Sequence, residues 1–488
     1  MNELFEAVEG QLTYYDVLAI LCSKVDSCKN STQLFEEFFS TQKERIRKMC
    51  EKLPFLDLRN YDEAVLYNNL KADQLVQIDL YFQETNPDEY PLEWLTMICT
   101  VERLLDFEEN RTAFLRDKIC KSLDSDSVSE QYHRFSQLNY CTFKKYGVLL
   151  PKETCVWEKE GLRPIESLAM RPLSFLKKYL WIRPGIYEVV NLFTDLQINK
   201  KRGLRVACSP LHTQRPFSVS FESPHFYTNY EVEYEKVIFN RFCKTVQSAA
   251  AQGADILIFP EMMASKESCT ACIRYIRETP FCGYVPLILL PTCEYHNGEQ
   301  WVNELTGIDG DGNVLFTYNK QHPYQYDKGT KKDENGEEYK DSYFEPISAD
   351  HKLSVLHVPN VGRIGFLICS DVLETEYVRY LQDNLQLTLL FHSTFSIGKD
   401  QLMRQLDSFS TISCDVVLCN ACAAWDMSAK DSPYVGIYCS YGHAAADKMS
   451  TYAEECRQDC NGCVFILDIS TEYNGTVLPM STTRLGVS

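Results

Sequence analysis

The sequence predicts an α/β fold preceded by a mainly helical domain, on three observations. Up to about residue 200 the apolar residues recur at helical spacing. From Gly203 onward short β-rich runs alternate with helical patterns, and those runs are almost continuously apolar. Strands without a polar side, separated by helices, belong to a sheet covered on both faces. The expected domains are therefore 1–200 and 203–488, within the two to four that a prior of about 150 residues per domain allows.

In the first part, Leu34, Phe35, Phe38 and Phe39 share one helix face, opened by the start signal Asn30-Ser31-Thr32. Similar patterns run through Ala64–Phe82, Leu92–Phe107 and Phe114–Leu123, with polar or proline-bearing breaks such as Thr85–Pro91. This part shows no repeat and no constellation of catalytic residue types. Between Arg163 and Arg183 the basic residues Arg171, Lys177 and Lys178 are interleaved with Phe175, Tyr179 and Trp181. Such a stretch can stack on bases, but it reads better as a solvated helix face with its aromatic residues turned to the core.

In the second part, strands are expected at Leu204–Cys208, Asp255–Phe259, Val285–Leu290, Val314–Tyr318, Leu353–Val358, Ile364–Cys369, Leu387–Phe391, Val416–Cys419 and Val464–Ile469. Helices fit Val232–Gln252, closed by Gly253, and also Glu374–Asp383 and Lys399–Ser413. Gly307–Asn313 resembles a calcium loop. Val314 stands where that loop needs glycine, however, and Lys320 where it needs glutamate, so it is a hairpin turn.

Composition narrows the function classes. A net charge of −19, from 49 basic and 68 acidic residues, disfavours nucleic acid as a partner. No uncharged stretch exceeds 15 residues, whereas a membrane span needs roughly 18 apolar ones. The first residues, Met-Asn-Glu-Leu-Phe-Glu, are acidic where a secretory signal is basic. A cytoplasmic protein with reduced thiols is expected. Its 21 cysteines, about 4% of the chain, fall short of a disulfide scaffold. The pairs Cys269/Cys272, Cys419/Cys422 and Cys460/Cys463, the last preceded by Cys456, have no second ligand pair at zinc spacing. No metal and no cofactor are expected.

Three polar residues stand at the ends of expected buried strands, where α/β proteins place their sites. Glu261 follows Phe259-Pro260, Lys320 ends the run from Val314 and leads into Gln321-His322, and Cys369 ends Gly362–Ile368 ahead of Ser370-Asp371. Taken singly, the first two read as loop residues and the third as core. In the order Glu, Lys, Cys, at intervals of 59 and 49 residues and with Phe259-Pro260-Glu261, Lys320-x-His322 and Ile368-Cys369-x-Asp371 around them, they are similar to the signature of the nitrilase (carbon–nitrogen hydrolase) superfamily.

The resemblance covers about residues 203–475 and implies an α-β-β-α sandwich. It implies that Glu261 is the general base, Cys369 the nucleophile, and Lys320 with the Ser370 backbone N–H the oxyanion donors. Thr394 and Phe395 would line the pocket. Val416–Asn420 resembles the family's apolar strand ending in asparagine. A second glutamate, which positions substrate in many members, is assigned to Glu338, with Glu337, Asp341 and Glu345 as rivals. These lie in or beside a charged insertion, Asp327–Asp341, expected as an exposed loop able to cover the site. Ser370 replaces the usual aromatic residue, which points away from nitriles and toward small amides or carbamoyl compounds. A homo-oligomer is implied, although helix 399–413 lacks the family's arginine–alanine pair. The alternative class is an effector of a bacterial antiviral defence system gated by the helical domain; a pseudo-enzyme would not keep the trio.

Overall fold

The computed structural model describes residues 14–28, 31–57, 70–105, 144–152, 179–185, 187–194, 203–212, 214–279, 284–298, 300–332, 338–396, 399–410, 414–424, 434–439, 447–450, 463–469 and 483–486, with isolated positions between them. The chain forms two compact units, one of residues 1–153, 164–186 and 383–386, the other of the remainder.

In the first unit the helices are Tyr14–Asp26, Ser31–Lys52, Ala72–Glu84 and Tyr90–Leu105. Tyr14–Asp26 is buried over most of its length, and Tyr90–Leu105 buries Leu92, Leu95, Ile98, Val101 and Leu105 in the same core. Ser31–Lys52 turns Phe38 and Met49 inward and carries Glu44–Arg47 and Arg47–Glu51 ion pairs on its outer side. Val148–Pro151 pairs antiparallel with Tyr179–Ile182. Tyr179 and Trp181 are core residues, as expected, but they lie on a strand and not on the helix face expected for that stretch; the Trp181 indole N–H donates to the carbonyl of Tyr146. The expected helix Phe114–Leu123 and the stretch from Arg163 to Phe175 lie outside the described residues.

The second unit is built on two large sheets. One runs in the order Val314–Asn319, Gln300–Asp309, Leu287–Leu289, Ile256–Ile258, Leu204–Cys208, Cys463–Ile469, Thr483–Gly486, with Cys293–Asn297 also paired to Gln300–Asp309. The other runs Asp447–Ser450, Tyr434–Cys439, Asp415–Asn420, Leu389–Thr394, Gly362–Ile368, Lys352–Val358, Glu188–Phe193. They pack face to face. Phe316 meets Phe366 with ring centroids 4.4 Å apart, the Ser393 hydroxyl donates to the carbonyl of Phe259 at 2.8 Å, and the Ser354 hydroxyl to that of Thr317 at 3.1 Å.

Side chains alternate along a strand. Ala207, Leu257 and Ile288 thus face the other way, where they pack on Ile238, Phe242 and Val246 of helix Val232–Ala251 and on Cys269, Cys272 and Ile276 of helix Lys266–Glu278. Strands Gly362–Ile368, Leu389–Thr394 and Asp415–Asn420 are buried at every residue, which explains their lack of a polar side.

Two further expectations change. Glu188–Phe193, assigned to the helical part, is a strand parallel to Lys352–Val358 in the second unit. The insertion after Lys320 is not a loop: Gln325–Lys332 and Glu338–Phe344 pair antiparallel and continue a small sheet with His225–Tyr230 and Phe217–Glu222. Glu337 and its neighbours from 333 lie outside the described residues. Gly307–Asn313 is the hairpin turn expected, with Asp309 accepting from the N–H groups of Asp311 and Asn313. Cys419 and Cys422 are buried free thiols, and Cys456 and Cys460 lie outside the described residues. Among the described residues no helix is long and apolar enough to cross a membrane.

Gly362 starts the strand that ends at Cys369. Its φ is +99°, and a Cβ there would come within 2.4 Å of the Thr388 hydroxyl, which already accepts the Arg363 N–H. Gly362→Ala is expected to cost about 1–3 kcal/mol, seen as a lower urea midpoint at unchanged slope.

Candidate active site

Glu261, Lys320 and Cys369 converge at the rim shared by the two sheets. Each follows the C-terminal end of its strand: Ile256–Ile258, Val314–Asn319 and Gly362–Ile368. All three are buried, at 1%, 1% and 8% exposure. The Lys320 ammonium lies 2.9 Å from Glu261 Oε1 and 2.6 Å from Glu345 Oε2. Glu345, a rival at the sequence level, is thus the second carboxylate. Glu338 is not: it is exposed and sits 3.5 Å from Lys332, while Asp341 pairs with Lys331 at 2.9 Å. The correction has a geometric cause. The paired strands carry both residues away along the hairpin, whereas Glu345 sits at its base, where the Tyr324 N–H donates to Glu345 Oε2 at 2.7 Å and the Glu345 N–H to the Tyr324 carbonyl at 3.0 Å.

Two further residues hold the carboxylates. Asn303, fully buried, donates its amide N–H groups to Glu261 Oε1 at 2.9 Å and to Glu345 Oε1 at 3.4 Å. Thr292 donates to Asn303 Oδ1 at 2.7 Å, which leaves the amide nitrogen facing the acids. Both were missed in the sequence, but a signal exists. Leu290-Pro291-Thr292 repeats Phe259-Pro260-Glu261 on the neighbouring parallel strand, and Asn303 with Glu304 places two polar residues side by side between Val302 and Leu305.

The other oxygen of Glu261 accepts the Phe395 backbone N–H at 3.0 Å. Asn420 sets that loop: its side chain accepts from Ser396 N at 2.9 Å and donates to Ser396 O at 2.8 Å. Thr394 is fully buried, and its hydroxyl and the Glu261 carboxylate both act on the Cys369 thiol, the hydroxyl favouring the thiolate and the carboxylate charge opposing it. Ser370 is buried, with its hydroxyl donating to the carbonyl of His322. Asp371 ties the turn together by accepting from the N–H groups of Gln321, His322 and Ile368 and from the Tyr318 hydroxyl, all at 2.9–3.1 Å. Cys369 itself holds φ at +44°, and Met262, next to Glu261, holds +57°. Left-handed backbone at a non-glycine residue costs on the order of 1 kcal/mol or more and persists only where its surroundings demand it.

Electrostatics follow from this burial. The thiol of Cys369 is pushed up to about 12 by desolvation and by the negative charge of Glu261, with Lys320 acting in the opposite sense. Desolvation also raises Glu261, against the pull of Lys320. Burial opposes the charge of Lys320, but the two carboxylates outweigh it and hold the ammonium well above the ordinary lysine range. At rest the ammonium is thus held charged and the thiol neutral. A thiolate beside an ionised Glu261 would add a second uncompensated charge, whereas moving the proton from sulfur to Glu261 leaves the total unchanged. The arrangement suits a base-assisted sulfur nucleophile.

No family model and no curated protein matches the sequence. Among solved structures, the chain is similar to an amidase from Nesterenkonia sp. at 16% identity, over 57% of this chain and 94% of that one, with a TM-score of 0.37. A variant of the Nesterenkonia sp. AN1 amidase carrying acrylamide added at its active-site cysteine matches at 15% identity over 55% and 94% of the two chains, TM-score 0.37. A further variant of that amidase, described as of the nitrilase superfamily, matches at 15% over 56% and 94%, TM-score 0.37.

Lys320→Met should destabilise the protein by about 3–5 kcal/mol, because it leaves two carboxylates buried without a counter-charge; thermal and chemical denaturation would measure it. A second expectation concerns Glu294, buried and raised to about 8 by desolvation and the charge of Glu345, against the donors of Thr228. The folded protein keeps this proton up to about pH 8, while the unfolded chain releases it near 4.3. Stability from this residue is complete below that lower value and falls as pH rises through the folded value. Glu294→Gln should flatten the decline between pH 5 and 8, by on the order of 3 kcal/mol, in denaturation curves taken at both ends.

Proposed function

We propose that the protein is a cysteine-dependent amidohydrolase of the nitrilase type, acting on a non-peptide C–N bond of a small amide or carbamoyl compound. The observation that carries this reading is the convergence of a thiol, a carboxylate and an ammonium, all buried, at the ends of three strands.

Glu261 takes the proton of the Cys369 thiol as the sulfur attacks the amide carbonyl carbon. The C–S bond forms and the carbonyl electron pair moves to oxygen. Lys320 spends two of its three N–H groups on Glu261 and Glu345, so the third is left for that oxyanion. The backbone N–H of Ser370 is the second donor, and one such donor is worth about 3–4 kcal/mol in the transition state. Collapse breaks the C–N bond as Glu261 protonates the departing nitrogen, leaving ammonia or an amine and a thioester. Glu261 then takes a proton from water, hydroxide adds to the thioester, and the carboxylate leaves as the thiol is restored. Glu345 and Asn303 hold Lys320 and Glu261 in register throughout. Thr394 and Phe395 border the acyl group. The same site would serve an effector gated by the helical unit, and a homo-oligomer is compatible with either role.

With a panel of small amides, intact-mass spectrometry should trap an acyl adduct on wild-type protein and none on Cys369→Ala. Glu261→Gln should lower kcat/KM by about 10²–10⁴-fold. Full turnover by Cys369→Ala would end this reading.

A further inference from the structure

The acyl side of the site is bordered by Phe395, whose N–H holds Glu261 and whose ring stands beside that of Phe217, with centroids 5.3 Å apart. The guanidinium of Arg215 lies over both rings, 5.5 Å from each centroid. Arg215 is exposed, and among the described residues no carboxylate pairs with it.

We propose that Arg215 is the specificity residue for an anionic substrate, holding a carboxylate on the acyl chain distal to the scissile amide. The choice of ligand rests on the amidohydrolase reading. Three observations carry it. The two rings hold the guanidinium from one side and leave the rest of this exposed side chain to solvent; its forked N–H groups match a carboxylate with two parallel hydrogen bonds. The surroundings are otherwise hostile to an anion. Glu261 and Glu345 outnumber Lys320 in the cluster, and the chain carries a net charge of −19, so an anionic substrate needs a dedicated cation. Finally, Arg215 lies over the ring of Phe395, whose backbone N–H holds Glu261, and this links the cation to the catalytic carboxylate through a single residue. The carboxylate belongs on the acyl part because the leaving ammonia carries nothing else to recognise.

The test is calorimetric binding to the full chain as Cys369→Ala, which holds substrate without turning it over. The probes are the monoamide of butanedioic acid and butanamide, which match in chain length. The charged amide should bind about 10- to 100-fold more tightly, the range of a charge-assisted pair. Adding Arg215→Gln should bring the ratio of the two affinities to near one, and adding Arg215→Lys should keep part of it. A ratio near one with Arg215 in place, binding of neither probe, or a ratio unmoved by Arg215→Gln would each overturn the assignment. Turnover by wild-type protein is scored separately. A preserved affinity ratio without any turnover or adduct would remove the hydrolase and leave Arg215 as the anion-binding residue.

Discussion

A buried ammonium held between two buried carboxylates is the constraint on which the second unit is organised. Lys320 is held charged at 1% exposure by Glu261 and Glu345 at 2.9 and 2.6 Å, against the cost of its burial. Removing Lys320 leaves two carboxylates without a counter-charge in a low-dielectric interior, whereas removing one acid leaves a matched pair. The three residues come from separate parts of the chain, so the cluster also ties those parts together. Asn303 completes it by donating to both carboxylates, and Thr292 fixes Asn303 by donating to its Oδ1.

Chemistry and strain meet in the same place. Cys369 sits where a fully buried strand breaks into a short turn with a left-handed φ of +44°. Asp371 makes that turn affordable by collecting three backbone N–H groups and a tyrosine hydroxyl. The result is a thiol too reluctant to ionise alone, placed beside a carboxylate that burial has made a stronger base. Reactivity therefore depends on proton transfer within the cluster rather than on a standing thiolate.

The first unit shows a different economy. Its core is aliphatic and aromatic, drawn mainly from Tyr14–Asp26 and Tyr90–Leu105. Of its buried acids Asp16, Glu93 and Glu102, Glu93 is matched by Arg45 and the Tyr81 hydroxyl. These are the marks of a packed helical body. Chemistry-bearing groups are gathered in the second unit instead.

Much of this was open to reading in the chain itself. Periodicity locates helices Ser31–Lys52 and Val232–Ala251, and continuous apolarity locates the central strands, because a strand buried on both faces tolerates few polar residues. A polar residue directly after such a strand marks the rim, and Glu261, Lys320 and Cys369 were found that way. A strand exposed at every residue, such as Gln325–Lys332, carries no apolar run and reads as loop. Glu188–Phe193 has an apolar core of four residues or fewer and finds its sheet only by pairing with Lys352–Val358, more than 150 positions away. The choice of Glu345 over Glu338 was likewise beyond any local pattern: two glutamates seven residues apart differ only in where the hairpin carries them. Local residue order thus determined which segments are buried and which chemical groups end them. Long-range pairing alone decided which groups meet, since partners separated by dozens of residues leave no mark in their own neighbourhoods.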